Sequence, residues 1–191
     1  MQKMAVLLSG SGRTLDNFHQ QIEKGVLQAD IQVVVSNVPS VLGLEKAEKY
    51  GYPAFYAQDN TAINAILKDY DIDLIVLAGY LKLYVPPQGL ERAVLNIHPA
   101  LIPSFCGKGY YGHYVHEAVK AKGCTVSGCT VHFADEEYDQ GPIVLQRCVS
   151  LEYEDTPDDI AARVFEVECE AFPAAINLVD SKGIDYFWNR V

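Results

Sequence analysis

Short apolar runs rich in β-branched residues alternate with helix-patterned stretches over the first half of the chain. Met4–Leu8, Ile31–Ser36, Pro53–Tyr56, Leu74–Ala78 and Ala93–Ile97 read as strands, and several are apolar on both faces, as buried parallel strands are. Between them, helices are predicted near Thr14–Lys24, Leu42–Tyr50 and Ala62–Asp69. This order predicts an α/β fold, a doubly wound and mostly parallel sheet with helices on both faces. The second half changes character. A helix is predicted near Tyr111–Lys122, then strands at Val126–Phe133 and Ile143–Val149 joined by the polar loop Asp135–Pro142, which suits antiparallel pairing. A last helix is expected after Thr156-Pro157, with Thr156 as cap and Pro157 in the first turn. Pro173 is expected to kink or divide it.

A length of 191 residues suits a single domain, with enough chain to bury a core without staples. No apolar run is long enough to span a bilayer, and Met1-Gln2-Lys3-Met4 leads straight into a strand, with no secretory pattern. Five scattered cysteines favour reduced thiols and a cytoplasmic location over a disulfide framework. A net charge of −10 argues against nucleic acid as a partner, while leaving room for one small anion in a local pocket.

Two segments carry candidate chemistry. Gly10-Ser11-Gly12-Arg13-Thr14 follows the first strand and opens the first helix, where backbone N–H groups and the helix dipole can cradle a phosphate. It is no dinucleotide fingerprint, because Leu15 replaces a third glycine and Ser36-Asn37 replaces the ribose-binding acid. Arg13 opposes the helix dipole unless an anion pairs with it. The bland alternatives are a plain tight turn, with Arg13 in solvent or against Asp16. The second segment is Asn96-Ile97-His98-Pro99. Residues two apart share a strand face, so an amide donor and an imidazole would project together at a carboxyl end, a pairing that suits an oxyanion. A capping Asn before a surface His is the alternative.

Asn96–Pro103, Val131-His132-Phe133, Asp139-Gln140-Gly141-Pro142 and Leu77-Ala78-Gly79-Tyr80, with the glycine loop, together resemble the phosphoribosylglycinamide formyltransferase family over roughly residues 4–180. The resemblance implies formyl transfer from 10-formyltetrahydrofolate, as co-substrate and without a metal, to the amine of glycinamide ribonucleotide. It implies a catalytic trio of Asn96, His98 and Asp139, with Asp139 keeping His98 protonated. It places Gly10, Ser11, Gly12, Arg13, Thr14 and Glu168 against the ribonucleotide, and Tyr80, Leu81, Lys82, Leu83, Asp135, Glu136 and Tyr138 against the folate. Residues 1–100 would form the phosphate-binding half, and 101–191 the folate-binding and C-terminal half. A cis Ile102–Pro103 bond is implied as well, and a monomer or homodimer is expected.

The chain departs from the family pattern at Arg13-Thr14, at Cys169 and over Phe105–His113, which bears on acceptor identity. Length and acidity favour this family over tRNA formyltransferases, formyltetrahydrofolate hydrolases and sugar-nucleotide formyltransferases, which carry further domains. A stand-alone transferase for another amine and a non-catalytic nucleotide-binding module remain the competing readings. Cys124, Cys129 and His132 lack a metal-site spacing and read as ordinary sheet residues. His19, His113 and His116 read as surface residues.

Overall fold

In β1 (Gln2–Leu8) alternate side chains serve two different cores. Met4, Val6 and Leu8 join one apolar cluster and Ala5 and Leu7 the other, all with no exposed surface. Only a strand covered on both faces reads this way. The computed structural model describes residues 1–190. The elements that follow are α1 (Arg13–Glu23), β2 (Ala29–Ser36), α2 (Leu42–Lys49), β3 (Ala54–Tyr56), α3 (Asn60–Leu67), β4 (Leu74–Leu77) and β5 (Val94–His98). Then come α4 (His113–Lys122), β6 (Val126–Phe133), β7 (Ile143–Ser150), α5 (Pro157–Lys182) and α6 (Ile184–Trp188).

The strands form one sheet in the order β3-β2-β1-β4-β5-β6-β7. The five from β3 to β5 are parallel, and β6 runs antiparallel to both β5 and β7. One face packs on α1 and α5 through Leu15, Phe18, Phe172 and Ile176, and Phe18 meets Phe172 edge-on at 5.1 Å. The other face is covered by Ile63 and Leu67 of α3 with Tyr80 and Tyr84. The doubly wound expectation therefore holds, including the antiparallel pairing in the C-terminal half.

Two features depart from the sequence reading. Pro173 does not divide the last helix, because α5 runs unbroken from Pro157 to Lys182. Pro173 is buried between Phe172 and Ala175, so packing there offsets the missing N–H. Thr156 caps α5 as expected, in a reciprocal box with Asp159. The sequence pattern does not predict the short helix α6. Five residues carry little local signal; its place is set by Phe187 and Trp188 lying 5.8 and 5.9 Å from the Phe133 ring and by Trp188 Nε1 donating to the Arg92 carbonyl.

Two glycines fix the junction between β1 and its helices. Gly12 caps α1 in the left-handed region at φ 71°, and a β-carbon there would lie 2.8 Å from the Gly43 α-carbon. A β-carbon on Gly43 would lie 2.7 Å from Leu8 and 2.8 Å from the Gly10 carbonyl, which accepts from the Gly43 N–H. Gly43→Ala should therefore push α2 off the loop and cost about 1–3 kcal/mol as overpacking does. Thermal unfolding checks this, and an unchanged midpoint would contradict the close approach.

Candidate active site

β1 and β4 are neighbours, yet the chain builds outward from β1 through β2 to β3 before crossing back to β4. Open α/β sheets hold ligands at such a reversal, beyond the carboxyl ends of the strands. A cavity of about 700 Å³ lies there. It is lined by Gly10–Thr14 after β1, Leu77–Tyr84 after β4, Asn96–Pro99 at the end of β5, and parts of α4, α5 and the loop between β6 and β7.

The glycine loop is held from three sides. The Ser9 N–H donates to the Gly79 carbonyl, the Ser9 hydroxyl to Asn37 at 2.6 Å, and the Leu81 N–H to the Ser9 hydroxyl. All five of Gly10, Ser11, Gly12, Arg13 and Thr14 line the cavity, and α1 receives no side-chain cap at its N-terminus. Arg13 does not meet Asp16, whose carboxylate accepts from Lys46 at 2.6 Å and from the Tyr50 hydroxyl at 2.8 Å. Its guanidinium instead lies 3.8 Å over the Phe165 ring, a stacking that leaves the guanidinium edge free to donate. Glu168 lines the cavity too, and burial pushes its carboxyl up to about 7 against the opposing charge of Arg13.

At the end of β5, Asn96 and His98 both reach the cavity, and Asp139 joins them from the loop between β6 and β7. Asp139 Oδ2 lies 3.5 Å from His98 Nδ1 and accepts from the Gly107 N–H at 2.8 Å, and its Oδ1 lies 3.4 Å from His132 Nε2. His98 Nε2 bonds the Phe105 carbonyl at 2.8 Å, so both ring nitrogens face oxygen acceptors. That arrangement is complementary to an imidazolium. Burial nevertheless pushes the His98 imidazole below its usual value, outweighing Asp139 and the Phe105 carbonyl, which raise it. Asp139 thus acts on His98 in the expected sense, favouring the charged ring, while desolvation opposes it. For Asp139, burial works against the charge, but His132, His98 and the Gly107 N–H together hold the carboxyl below its usual range.

His132 reads from the sequence as an ordinary sheet residue, but in the structure it joins this network. Its Nδ1 bonds the Phe133 carbonyl at 2.9 Å, and Nε2 meets the Asn96 amide at 3.2 Å as well as Asp139. The missing signal was register. Antiparallel pairing sets Asn96 opposite His132 and His98 opposite Thr130, and no local pattern fixes that alignment. Thr130 in turn donates to the Ala100 carbonyl and accepts from the Ile102 N–H, holding the turn that carries the cis Ile102–Pro103 bond.

The remaining residues divide. Leu81, Lys82, Leu83, Asp135 and Tyr138 line the cavity. Tyr80 also borders it, although its buried ring packs on Tyr84 at 6.1 Å. Glu136 does not reach it: the Asp135 carboxylate accepts from the Glu137 N–H, which puts Glu136 at the exposed tip of the turn while Glu137 lines the cavity. His113 is half exposed, as expected. His19 is not a free surface group, for it stacks on Tyr50 at 3.9 Å and bonds the Tyr52 hydroxyl. His116 is buried and lines the cavity, because the fourth position of α4 turns inward beside Val115 and Val119.

The sequence signature of the family described as formyl transferase matches residues 2–176. The chain belongs to the formyl transferase family. It is 39% identical over 183 residues to a chloroplastic phosphoribosylglycinamide formyltransferase from Vigna unguiculata, covering 90% of this chain and 58% of that protein. It is 37% identical over 187 residues to the phosphoribosylglycinamide formyltransferase of Haemophilus influenzae, covering 92% of this chain and 86% of the relative. The crystal structure of phosphoribosylglycinamide formyltransferase from Anaplasma phagocytophilum superposes with a TM-score of 0.85 at 31% identity, over 95% of this chain and 88% of that one. The chain thus spans less than two thirds of the Vigna protein but most of the bacterial members.

Within this cavity, the carboxylate of Asp139 is one of the two groups that raise the His98 pKa. Asp139→Asn keeps the shape and removes the charge, so the His98 pKa should fall further below its wild-type value. NMR titration of the His98 ring in the two proteins measures it; an equal or higher pKa in the variant would refute the pairing.

Proposed function

We propose that the chain transfers the formyl group of 10-formyltetrahydrofolate to the amine of glycinamide ribonucleotide, a step of purine biosynthesis. The observation that carries this reading is the convergence of Asn96, His98 and Asp139 at one end of a cavity whose other wall is the Gly10–Thr14 loop with Arg13. A molecule with a phosphate at one end and a nucleophilic amine at the other fits those two ends.

In the proposed reaction the amine attacks the formyl carbon, and a C–N bond forms as the carbonyl electrons move onto oxygen. Asn96 donates to that oxyanion, and His98 does so once the oxyanion takes the place of the Phe105 carbonyl at Nε2; the negative charge beside the ring adds to the pull of Asp139 and favours the imidazolium. The lowered pKa makes His98 a ready proton donor once it is protonated. Collapse of the intermediate breaks the bond to folate N10, and the proton lost by the amine ends on N10, relayed through His98 and Asp139. Leu81, Lys82, Leu83, Asp135 and Tyr138 would border the folate, and Gly10–Thr14 with Glu168 the ribonucleotide. The acidic chain suits these small substrates and not a nucleic acid. Its five cysteines are all free, which supports a cytoplasmic setting.

A steady-state assay with glycinamide ribonucleotide and a 10-formyl folate, following release of the deformylated folate, tests the reading; absence of turnover with this amine would overturn it. Within that assay Asn96→Ala should lower kcat on the order of 10²–10³-fold, as loss of an oxyanion donor does, with both substrates still bound. Arg13→Ala should raise the KM for the ribonucleotide on the order of 10- to 100-fold, as loss of a charge-assisted hydrogen bond does, with little change on the folate side. An unchanged ribonucleotide KM would remove Arg13 from the site.

A further inference from the structure

His116 is 6% exposed, lines the same cavity as Arg13 and His98, and holds a buried Nδ1 with no hydrogen-bond partner among the described residues. A buried polar nitrogen left unpaired is costly, and native structures rarely tolerate one without a reason. His113 does not relieve it. Its ring is 6.4 Å away and faces Glu117 and Asp158 at 3.6 Å each. Burial, then the charges of His113, His98 and Arg13, hold the His116 pKa down to about 4, so the ring is neutral near pH 7. The same three neighbours locate it, within electrostatic reach of both the proposed phosphate cation and the proposed catalytic imidazole.

We infer that His116 is a further substrate-contacting residue, whose neutral imidazole pairs with a sugar hydroxyl of the phosphorylated ribose held between Arg13 and His98. This rests on the ribonucleotide reading above. A neutral imidazole offers one N–H and one lone pair, and a hydroxyl both donates and accepts. A phosphate oxygen only accepts, and Arg13 with the uncapped N-terminus of α1 already answers that need.

His116→Phe keeps the ring and removes both nitrogens, and His116→Asn restores a polar group. Affinities for ribose 5-phosphate and for inorganic phosphate, measured by NMR titration, separate sugar from phosphate contacts. His116→Phe should weaken ribose 5-phosphate about tenfold, the loss of one hydrogen bond, with inorganic phosphate within about twofold and partial recovery in His116→Asn. The KM for glycinamide ribonucleotide should rise in parallel. Equal weakening of both ligands, or unchanged ribose 5-phosphate affinity, would overturn the assignment. Should His116→Phe fail to fold, the ring ¹⁵N shifts of His116 in the wild type decide the matter. They should move with ribose 5-phosphate far more than with inorganic phosphate, and equal movement or none overturns the contact. Wild-type protein that engages ribose 5-phosphate through His116 yet fails to formylate glycinamide ribonucleotide would sink the proposed reaction while leaving this contact standing. Turnover with an indifferent His116 would do the reverse.

Discussion

The antiparallel pairing of β6 with β5 places Asn96 opposite His132 and His98 opposite Thr130, and everything chemical at the end of the sheet depends on that alignment. A slip of one residue would turn His132 away from the cavity and set apolar neighbours in its place. The pairing also fixes where the following loop begins. Gly141 then passes so close to the Phe133 carbonyl that a β-carbon would lie 2.0 Å from it, and the Phe133 N–H donates to the Pro142 carbonyl. Pinned at both ends, the loop carries Asp139 in the left-handed region at φ 61°. An aspartate tolerates that conformation better than a branched residue would, at a cost of order 1–3 kcal/mol.

That backbone cost has a return in electrostatics. Asp139 sits with two imidazoles and one backbone N–H around its carboxylate, so the anion is stabilised although the side chain is buried. His98 is treated differently by the same environment, since its acceptors only partly offset burial. The two pKa values are thereby lowered together, one towards a firm anion and the other towards a labile acid. In such a pair the proton is carried by the imidazole, which can give it up readily, while the carboxylate stays charged beside it. Glu168, raised to about 7, and His116, lowered to about 4, extend the contrast along the cavity.

The strands are legible because each needs only local evidence: β4 and the interior of β1 are apolar on both faces, β2 and β5 carry β-branched residues, and the Thr156-Pro157 start of α5 carries its own cap. Asn96 and His98 were legible as a pair for a similar reason, since a spacing of two in a strand decides their shared face. His132 and His116 were not. Each owes its role to a partner distant in sequence, β5 for one and the α4–α5 packing for the other, and a buried histidine looks like a surface one until that partner is known. Pro173 shows the converse for one of its two expected effects: the helix is not divided there, because core packing outweighs the local rule.

Arg13 carries a charge at the cavity that the protein itself does not neutralise. A guanidinium at the first position of α1 meets an unfavourable dipole, and Asp16, the nearest acid in sequence, is already engaged by Lys46 and Tyr50. Phe165 offers a face but no charge, so it orients the guanidinium without neutralising it. Glu168 is close enough to feel that cation, yet its carboxyl is held near 7 by burial and gives only partial compensation. The positive charge at the loop is therefore left for whatever anion enters the cavity. An anionic end group bound there would satisfy the dipole, the loop N–H groups and Arg13 at once, and would orient the rest of a bound molecule towards the β5 end, where the proposed reaction needs the amine.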